Sequence, residues 1–311
     1  MRDMATLAGS LAGLAGAGGA MTVVLARRTR PCLPGGHALV PDRITDPLPV
    51  VLRLGLGGMT VRVVPGPHGE LFLGPGAPQP GRTLRRLVLA PLFARARANA
   101  GRLWSDQREP FQLVIEFVGR IRDPESLLRA YRMLDQQLRD HAPLLTHSAD
   151  GRLTPGVVSV TVTGIVDARE LLAAQPIRYA FAECSFDDLG SSSVPRELAP
   201  VVSEPWAHRF GWDGCEPITA EERHQLHALV QAAHEDGRAV RISGLPDGSR
   251  RARAAIWSEL YAAGVDAVAD TDLAGLARHL RRLMAGPDGA GSPVRGVRHG
   301  VGRPVDHHES V

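Results

Sequence analysis

Three side chains near the start of the chain have types suited to chemistry on an anion. His37 stands at a strand end, Arg62 lies in the apolar run 59–64, and Glu116 lies in the apolar run 111–118. A histidine can act as a base near neutral pH, a guanidinium binds phosphate or carboxylate through paired hydrogen bonds, and a carboxylate can handle a proton or ligate a metal. Each also has a structural interpretation, which we favour: His37 as a satisfied structural residue, Arg62 as a surface or internally paired arginine, and Glu116 as the ion-pair partner of Arg62.

Other acidic residues offer a second set of ligands. Glu183, Asp187 and Asp188 could combine with Glu116 into an acid and metal site. A further acidic run lies near the last predicted strand, and its final residue precedes an apolar helical segment, where we expect it to cap the helix. The members of that run are Asp266, Asp270 and Asp272.

The histidines and cysteines give weaker signals. His224 and His227 are three residues apart on one predicted helix that also carries His234, yet no carboxylate is placed for a zinc-protease motif, so we predict a solvated helix face. The three cysteines, Cys32, Cys184 and Cys215, show no zinc-site spacing. Cys184 and Cys215 could form a disulfide in an exported protein or remain free thiols, and the sequence leaves both open.

The amino-acid composition limits the kinds of partner that the protein is expected to bind. The 311 residues are 44% hydrophobic and 22% charged, which is typical of a soluble globular fold. All 36 basic residues are arginine, a bias that we attribute to a GC-rich genome. Aromatic residues are only 5% and no basic helix has interleaved stacking residues, so we expect no nucleic-acid partner.

Both ends of the chain differ from the middle. Residues 5–26 are uncharged and long enough to span a bilayer, but they are rich in Gly and Ala and are followed by Arg27, Arg28 and Arg30. Membrane anchor, export signal and neither remain open for residues 1–32, and so does localisation at a membrane, outside the cell or in the cytoplasm. Residues 286–311 have a Gly, Pro, Arg and His composition that predicts a disordered tail.

Between these ends, residues 33–285 alternate short apolar runs with helical patterns, which predicts repeated β-α units around a parallel sheet. The predicted strands are 59–64, 111–118, 157–164, 178–182, 239–243 and 265–269, and the predicted helices are 47–54, 124–141, 168–174, 220–236, 250–263 and 273–283. Thr219 with Glu222 predicts a capping box, and Gly237 predicts a left-handed helix end.

The order of several segments resembles a known family. Arg82-Thr-Leu-Arg-Arg-Leu-Val-Leu-Ala-Pro-Leu is similar to its Arg-Thr-Leu-x-x-Leu-Tyr-Leu-x-Pro-Leu segment, and Gly264-Val-Asp-Ala-Val-Ala-Asp-Thr-Asp-Leu is similar to its closing segment. Segments beginning at Ala174, Pro200 and Gly237 fall between them in the family order. The chain therefore resembles the altered inheritance of mitochondria protein 6 family, a bacterial and fungal branch of the phosphatidylinositol-specific phospholipase C-like and glycerophosphodiester phosphodiesterase-like barrels.

This resemblance implies a single TIM-type (β/α) barrel and the hydrolysis of phosphoric diesters in lipid metabolism. Family enzymes are expected to hold a divalent cation, calcium or magnesium, at the carboxyl ends of the strands and to use two histidines as base and acid. The cation neutralises phosphate charge while the histidines move protons.

The residues that this chemistry needs are mostly replaced. The family's opening His-Ala-His-Asn-Asp-Tyr aligns with His37-Ala-Leu-Val-Pro-Asp, so only one histidine of that pair remains. The Glu-x-Asp ligands become Thr60 and Arg62, and the second catalytic histidine is absent after Gly69-Glu-Leu-Phe-Leu, where the chain continues Gly74-Pro-Gly. Glu116 is the one carboxylate retained on the third strand of the pattern.

Three hypotheses follow. We favour a pseudoenzyme or weak enzyme that binds a phosphodiester or another small anion at Arg62, with His37 vestigial, and we expect no cofactor. The second is an active phosphodiesterase with a relocated metal site drawn from Glu116, Glu183, Asp187 and Asp188. The third is an envelope-associated interaction scaffold, joined to a membrane through residues 5–26.

Overall fold

The computed structural model describes residues 30–118, 124–164 and 168–286. The predicted leader, including residues 5–26, and the predicted tail from residue 287 onward lie outside the described residues. None of the described helices is long and apolar enough to cross a membrane.

Twelve strands and seven α-helices are assigned within the described ranges. In chain order the strands are β1 (Leu33–Leu39), β2 (Leu56–Pro65), β3 (Leu71–Leu73), β4 (Phe111–Phe117), β5 (His147–Ala149), β6 (Arg152–Thr154), β7 (Val158–Thr163), β8 (Ile177–Arg178), β9 (Phe181–Cys184), β10 (Val201–Pro205), β11 (Ala239–Ser243) and β12 (Ala267–Asp270). The helices are α1 (Pro47–Leu54), α2 (Ala90–Ala98), α3 (Pro124–Arg139), α4 (Ala168–Ala173), α5 (Ala220–Glu235), α6 (Arg250–Ala262) and α7 (Leu273–Met284).

Eight of the strands close into a parallel barrel. Their order around it is β1, β2, β4, β7, β9, β10, β11 and β12, and β12 pairs with β1 through His37 and Ala269. Strand β3 pairs antiparallel with β2, and β5, β6 and β8 form a small separate sheet. The prediction of a single TIM-type barrel is therefore confirmed.

The strands form because they are rich in β-branched and other apolar residues whose outward faces pack under the helices. Val61 on β2, Ile115 on β4 and Val160 on β7 are almost fully buried on that outer face, together with Leu226 of α5. The main hydrophobic core thus lies between the barrel and its helices, which leaves the inner face of the barrel to carry different residues.

Helix ends follow the local sequence signals closely. The Thr219 hydroxyl accepts a hydrogen bond from the Glu222 amide at 3.1 Å, and Gly237 has φ 75°. The other half of the predicted capping box is not formed, because the Glu222 carboxylate accepts instead from the amides of Gly211 at 2.8 Å and Trp212 at 3.1 Å. The loop before α5 is therefore pinned to the helix by the residue that would have closed the box.

The structure corrects one predicted strand. The apolar run 178–182 divides, so that β8 joins the small sheet and β9 joins the barrel. A short 3-10 turn, Phe186–Asp188, stands where an α-helix would follow β9, while β1, β10 and α2 were not among the predicted elements. Cys184 is buried and Cys215 exposed, and both are free thiols, so this structure contains no bridge between them.

Candidate anion site at the barrel mouth

The inner face of the barrel is unusually polar. Residues paired in register on adjacent strands point to the same side, and the pairing runs through Arg62, Glu116 and Thr163 on β2, β4 and β7. The polar residues that this register places on the inner face are His37, Thr60, Arg62, Gln112, Glu116, Ser159, Thr161, Thr163, Glu183, Ser203, Arg241 and Ser243. Barrel interiors are usually filled by Val, Ile and Leu, so this lining points to a site.

His37 is fully enclosed within the barrel. Its side chain is 0% exposed, and Nε2 lies 2.8 Å from Thr60 Oγ1. Burial, together with the charge of Arg241, holds the pKa of His37 well below its usual range, so the ring is neutral at pH 7. Gly58 beside it is required, since a Cβ there would stand 2.5 Å from His37 Nδ1.

Arg241 and Glu183 form an ion pair across the inner face. Arg241 Nη2 donates to the Glu183 carboxylate and, at 2.8 Å, to Ser203 Oγ. The Arg241 side chain is only 5% exposed, whereas Glu183 is 25% exposed. Burial lowers the pKa of Arg241 and the neighbouring carboxylate opposes that shift. Glu183 is therefore committed to neutralising a buried guanidinium.

Arg62 lies at the mouth and pairs with the loop that follows β1. Its Nη2 donates to the carboxylate of Asp42, and both side chains are more than one third exposed. The interpretation of Glu116 as the ion-pair partner of Arg62 is corrected here: the two residues are paired in register, but the described residues contain no hydrogen bond between their side chains. The ion-pair partner of Arg62 is instead Asp42, which lies in the loop after β1.

Glu116 remains a half-buried carboxylate beside these charges. Burial raises its pKa most, the Arg62 guanidinium lowers it, and the carboxylates of Glu183 and Asp42 raise it again. The mouth of the barrel thus gathers three carboxylates and two guanidiniums, of which two carboxylates are already bonded to arginine.

The relocated metal set does not converge. Glu183 is bonded to Arg241, Asp188 bonds Arg169 at 2.7 Å, and Asp187 bonds Arg209 at 2.5 Å. Within residues 30–118, 124–164 and 168–286 no group of three or more His, Cys, Asp or Glu side chains is arranged to hold a metal ion. Because guanidiniums already neutralise these oxygens and repel a cation, the donor set does not fit calcium or magnesium.

The other predicted groups have structural partners. Asp272 caps α7 by accepting from the Gly275 amide at 2.9 Å, which confirms its predicted role. Asp270 accepts from Trp257 Nε1 at 3.0 Å, and Asp266 lies 2.8 Å from His234 Nε2. His224 and His227 are exposed on α5, as the solvated-face prediction requires.

Sequence reasoning missed Arg241, Ser203 and Asp42. Arg241 had a detectable signal, because it is the single charged residue in the otherwise alternating strand Ala-Val-Arg-Ile-Ser, where a buried face is expected. No sequence signal marked Ser203 or Asp42. Neither residue type nor spacing shows which arginine a serine or a loop aspartate will contact.

The geometry defines the class: a closed parallel (β/α) barrel with a polar interior and an arginine-rich mouth. No family model matches the chain, and no curated protein sequence matches it. Similar solved structures include a calcium-dependent phosphoinositol-specific phospholipase C from Pseudomonas sp, with a TM-score of 0.48, 10% identity and coverage of 78% of this chain and 91% of that chain. A glycerophosphoryl diester phosphodiesterase from Parabacteroides distasonis has a TM-score of 0.40, 14% identity and coverage of 73% and 76%.

The malate synthase of Haloferax volcanii is also similar, with a TM-score of 0.28, 14% identity and coverage of 78% of this chain and 60% of that chain. The strand pairing itself closes the barrel.

Proposed function

We propose that this protein is a degenerate member of the phospholipase C-like barrels, of the altered inheritance of mitochondria protein 6 type that its sequence resembles. It binds a small anion such as a phosphodiester at the barrel mouth without a metal, and it has little or no hydrolytic activity. The observation that carries the proposal is that Arg62 and Arg241 hold the mouth carboxylates Asp42 and Glu183.

The lack of catalysis follows from the state of the remaining histidine. Hydrolysis of a phosphodiester needs a base for the attacking oxygen and an acid for the leaving oxygen. His37 is enclosed, its Nε2 is engaged with Thr60, and its low pKa keeps it neutral, so it is placed neither to reach a bound ester nor to donate a proton. Of the three mouth carboxylates, Glu116 is the one not bonded to an arginine within the described residues, and one carboxylic acid does not supply both roles.

Anion binding follows from the exposure of Arg62. Its partner Asp42 is also exposed and hydrated. An incoming phosphate can therefore displace the Asp42 carboxylate from Arg62 at a small cost in free energy. A groove of about 330 Å³ opens beside the mouth and is lined in part by Thr163, Gly164, Arg169 and Glu183. That volume lies within the range of about 300–1,000 Å³ of small-molecule sites.

The test measures binding and turnover separately. Dimethyl phosphate, a monoanionic phosphodiester, is titrated against the full chain while thermal unfolding is followed, on the wild type, Arg62→Gln and the control Arg53→Gln in the last turn of α1. At ten times its Kd a ligand stabilises the folded state by about 1.4 kcal/mol, which corresponds to a rise of about 3 °C in Tm. We expect that rise in the wild type and the control and its loss in Arg62→Gln.

Turnover is measured with a chromogenic phosphodiester, bis-p-nitrophenyl phosphate, in millimolar calcium, in millimolar magnesium and in chelator. We expect no hydrolysis above background and no rise of Tm with either cation. Cation-dependent hydrolysis that His37→Ala abolishes would overturn the proposal in favour of an active enzyme. Equal anion stabilisation of wild type and Arg62→Gln would remove the mouth as the binding site.

A further inference from the structure

A second pocket lies on the outer side of the barrel, between α6 and α7, and extends from the loops before the two helices to the last turn of α7. Its volume is about 530 Å³, and its lining includes four arginines. They are Arg250 and Arg253 on α6 and Arg278 and Arg282 on α7. We propose that this pocket, which we call the α6–α7 pocket, binds a phosphomonoester or pyrophosphate group.

The charges in the α6–α7 pocket do not balance within the described residues. Arg253 is neutralised, since it lies 3.2 Å from Asp270 and 3.6 Å from Asp247. The other three arginines form no ion pair with any residue in the described ranges; they are Arg250, Arg278 and Arg282, and all three are exposed. The pocket therefore carries an excess of positive charge.

The one further carboxylate in the lining does not cancel that excess. Asp272 Oδ1 accepts from the Gly275 amide and caps α7. Its single charge is set against three unpaired guanidiniums, and its orientation is fixed by the cap. The positive charge consequently stays available to an anion that enters the pocket.

The like charges of neighbouring arginines in the pocket repel one another slightly, and a bound anion would relieve that repulsion. Arg278 and Arg282 are four residues apart on one face of α7, where like charges destabilise a helix by about 0.2–0.5 kcal/mol per pair. Arg250 and Arg253 are three apart on α6 and face the same pocket. Burial and the charge of Arg282 together hold the pKa of His279 below its usual value. The Arg282 charge therefore acts on its neighbours in α7 without being neutralised.

The chemistry of the lining selects phosphate. Guanidinium groups present forked donors that match phosphate oxygens in pairs, and several of them together neutralise a multiply charged group. The helices α6 and α7 begin after the last two barrel strands, and the loops at that end of a barrel are a frequent place for phosphate. No residue of the mouth site takes part, so the two sites are separate.

The phosphate group could belong to a soluble molecule or to a lipid, and the experiment distinguishes these sources. Inorganic pyrophosphate is titrated calorimetrically into the full chain, and sedimentation is measured with phosphatidylcholine vesicles with and without phosphatidic acid. Both are repeated on Arg278→Gln/Arg282→Gln and on the control Arg53→Gln/Arg251→Gln, which removes the same charge from exposed positions outside the pocket. Circular dichroism verifies that each variant is folded.

We expect the Arg278→Gln/Arg282→Gln variant to lose about tenfold or more in affinity, because two charge-assisted contacts are removed. The control should bind pyrophosphate as the wild type does. The Arg278→Gln/Arg282→Gln variant should keep the rise in Tm with dimethyl phosphate, which separates this result from failure at the mouth. Loss confined to pyrophosphate indicates a soluble ligand, and loss confined to phosphatidic acid vesicles indicates a lipid headgroup. The proposal is overturned if the wild type binds neither pyrophosphate nor phosphatidic acid vesicles. It is also overturned if the control variant loses as much affinity as Arg278→Gln/Arg282→Gln.

Discussion

Removal of the Glu183 charge tests the centre of the barrel most directly. Glu183→Gln keeps the size and one acceptor oxygen of the side chain but leaves Arg241, which is 5% exposed, without a counter-charge. A pair of unit charges about 4 Å apart interacts by about 4 kcal/mol at an effective dielectric constant of about 20. The hydrogen bond that the amide can still accept offsets about 1 kcal/mol of this loss. We therefore expect a destabilisation of about 3 kcal/mol, consistent with the cost of breaking a buried pair.

The assay is urea unfolding followed by far-ultraviolet circular dichroism, with equal m-values as the condition for comparing free energies. The matched control is Glu259→Gln, whose partner Arg223 is 49% exposed, and we expect it to cost at most about 1 kcal/mol. The double variant Arg241→Met/Glu183→Gln removes both charges, so its stability should return to within about 1 kcal/mol of the wild type.

One result would refute the reasoning. If Glu183→Gln costs no more than Glu259→Gln and the double variant brings no recovery, Arg241 is not neutralised by Glu183. Glu183 would then be free to bind a cation, and the argument against a metal at the mouth would lose its main support.

Two further predictions concern the enclosed histidine. The folded-state pKa of His37 lies below 6.5 while the unfolded chain protonates near 6.5, so below that pH the unfolded state binds more protons and stability falls as the pH is lowered. His37→Gln should reduce that fall by up to about 1.4 kcal/mol per pH unit, measured by urea unfolding at pH 7.5 and 5.5, and parallel losses in both proteins would contradict it. Gly58→Ala should cost about 1–3 kcal/mol because its Cβ would also stand 2.8 Å from the Gln112 carbonyl oxygen, whereas Gly76→Ala, with nothing within 4 Å, should be neutral; equal stability of the two variants would show that His37 is not confined by Gly58.

The repeated β-α units could be predicted from the sequence because their signals are local, whereas the closed barrel was implied by the family resemblance. Apolar runs with β-branched residues, helical periodicity, and caps such as Asp272 and Gly237 each depend on a few neighbouring residues. Strand β10 was missed because its five residues, Val-Val-Ser-Glu-Pro, are short and end in a proline, which weakens a strand pattern. The division of the run 178–182 between two sheets depends on tertiary pairing, which no local pattern contains.

The candidate site could be predicted only in part. The family resemblance aligned Arg62 and Glu116 with site positions, but the partner of Arg62 came from a loop. The pairing of Arg241 with Glu183 joins residues 58 apart along the chain, on strands that are not adjacent. Selecting one aspartate or glutamate for each arginine requires the barrel to be closed, because only closure sets the distances across its interior.

The polarity of the interior bears on the choice between a binding protein and a simple scaffold. On the inner face of the barrel, four buried polar atoms have no hydrogen-bond partner among the described residues: His37 Nδ1, Gln112 Oε1, Thr161 Oγ1 and Arg241 Nη1. Each such atom costs about 1–3 kcal/mol, and an apolar side chain of similar volume would remove that cost. A barrel that served only as a scaffold would gain stability from such replacements. The presence of these groups together with the two guanidiniums therefore supports the proposal that the mouth is used for binding.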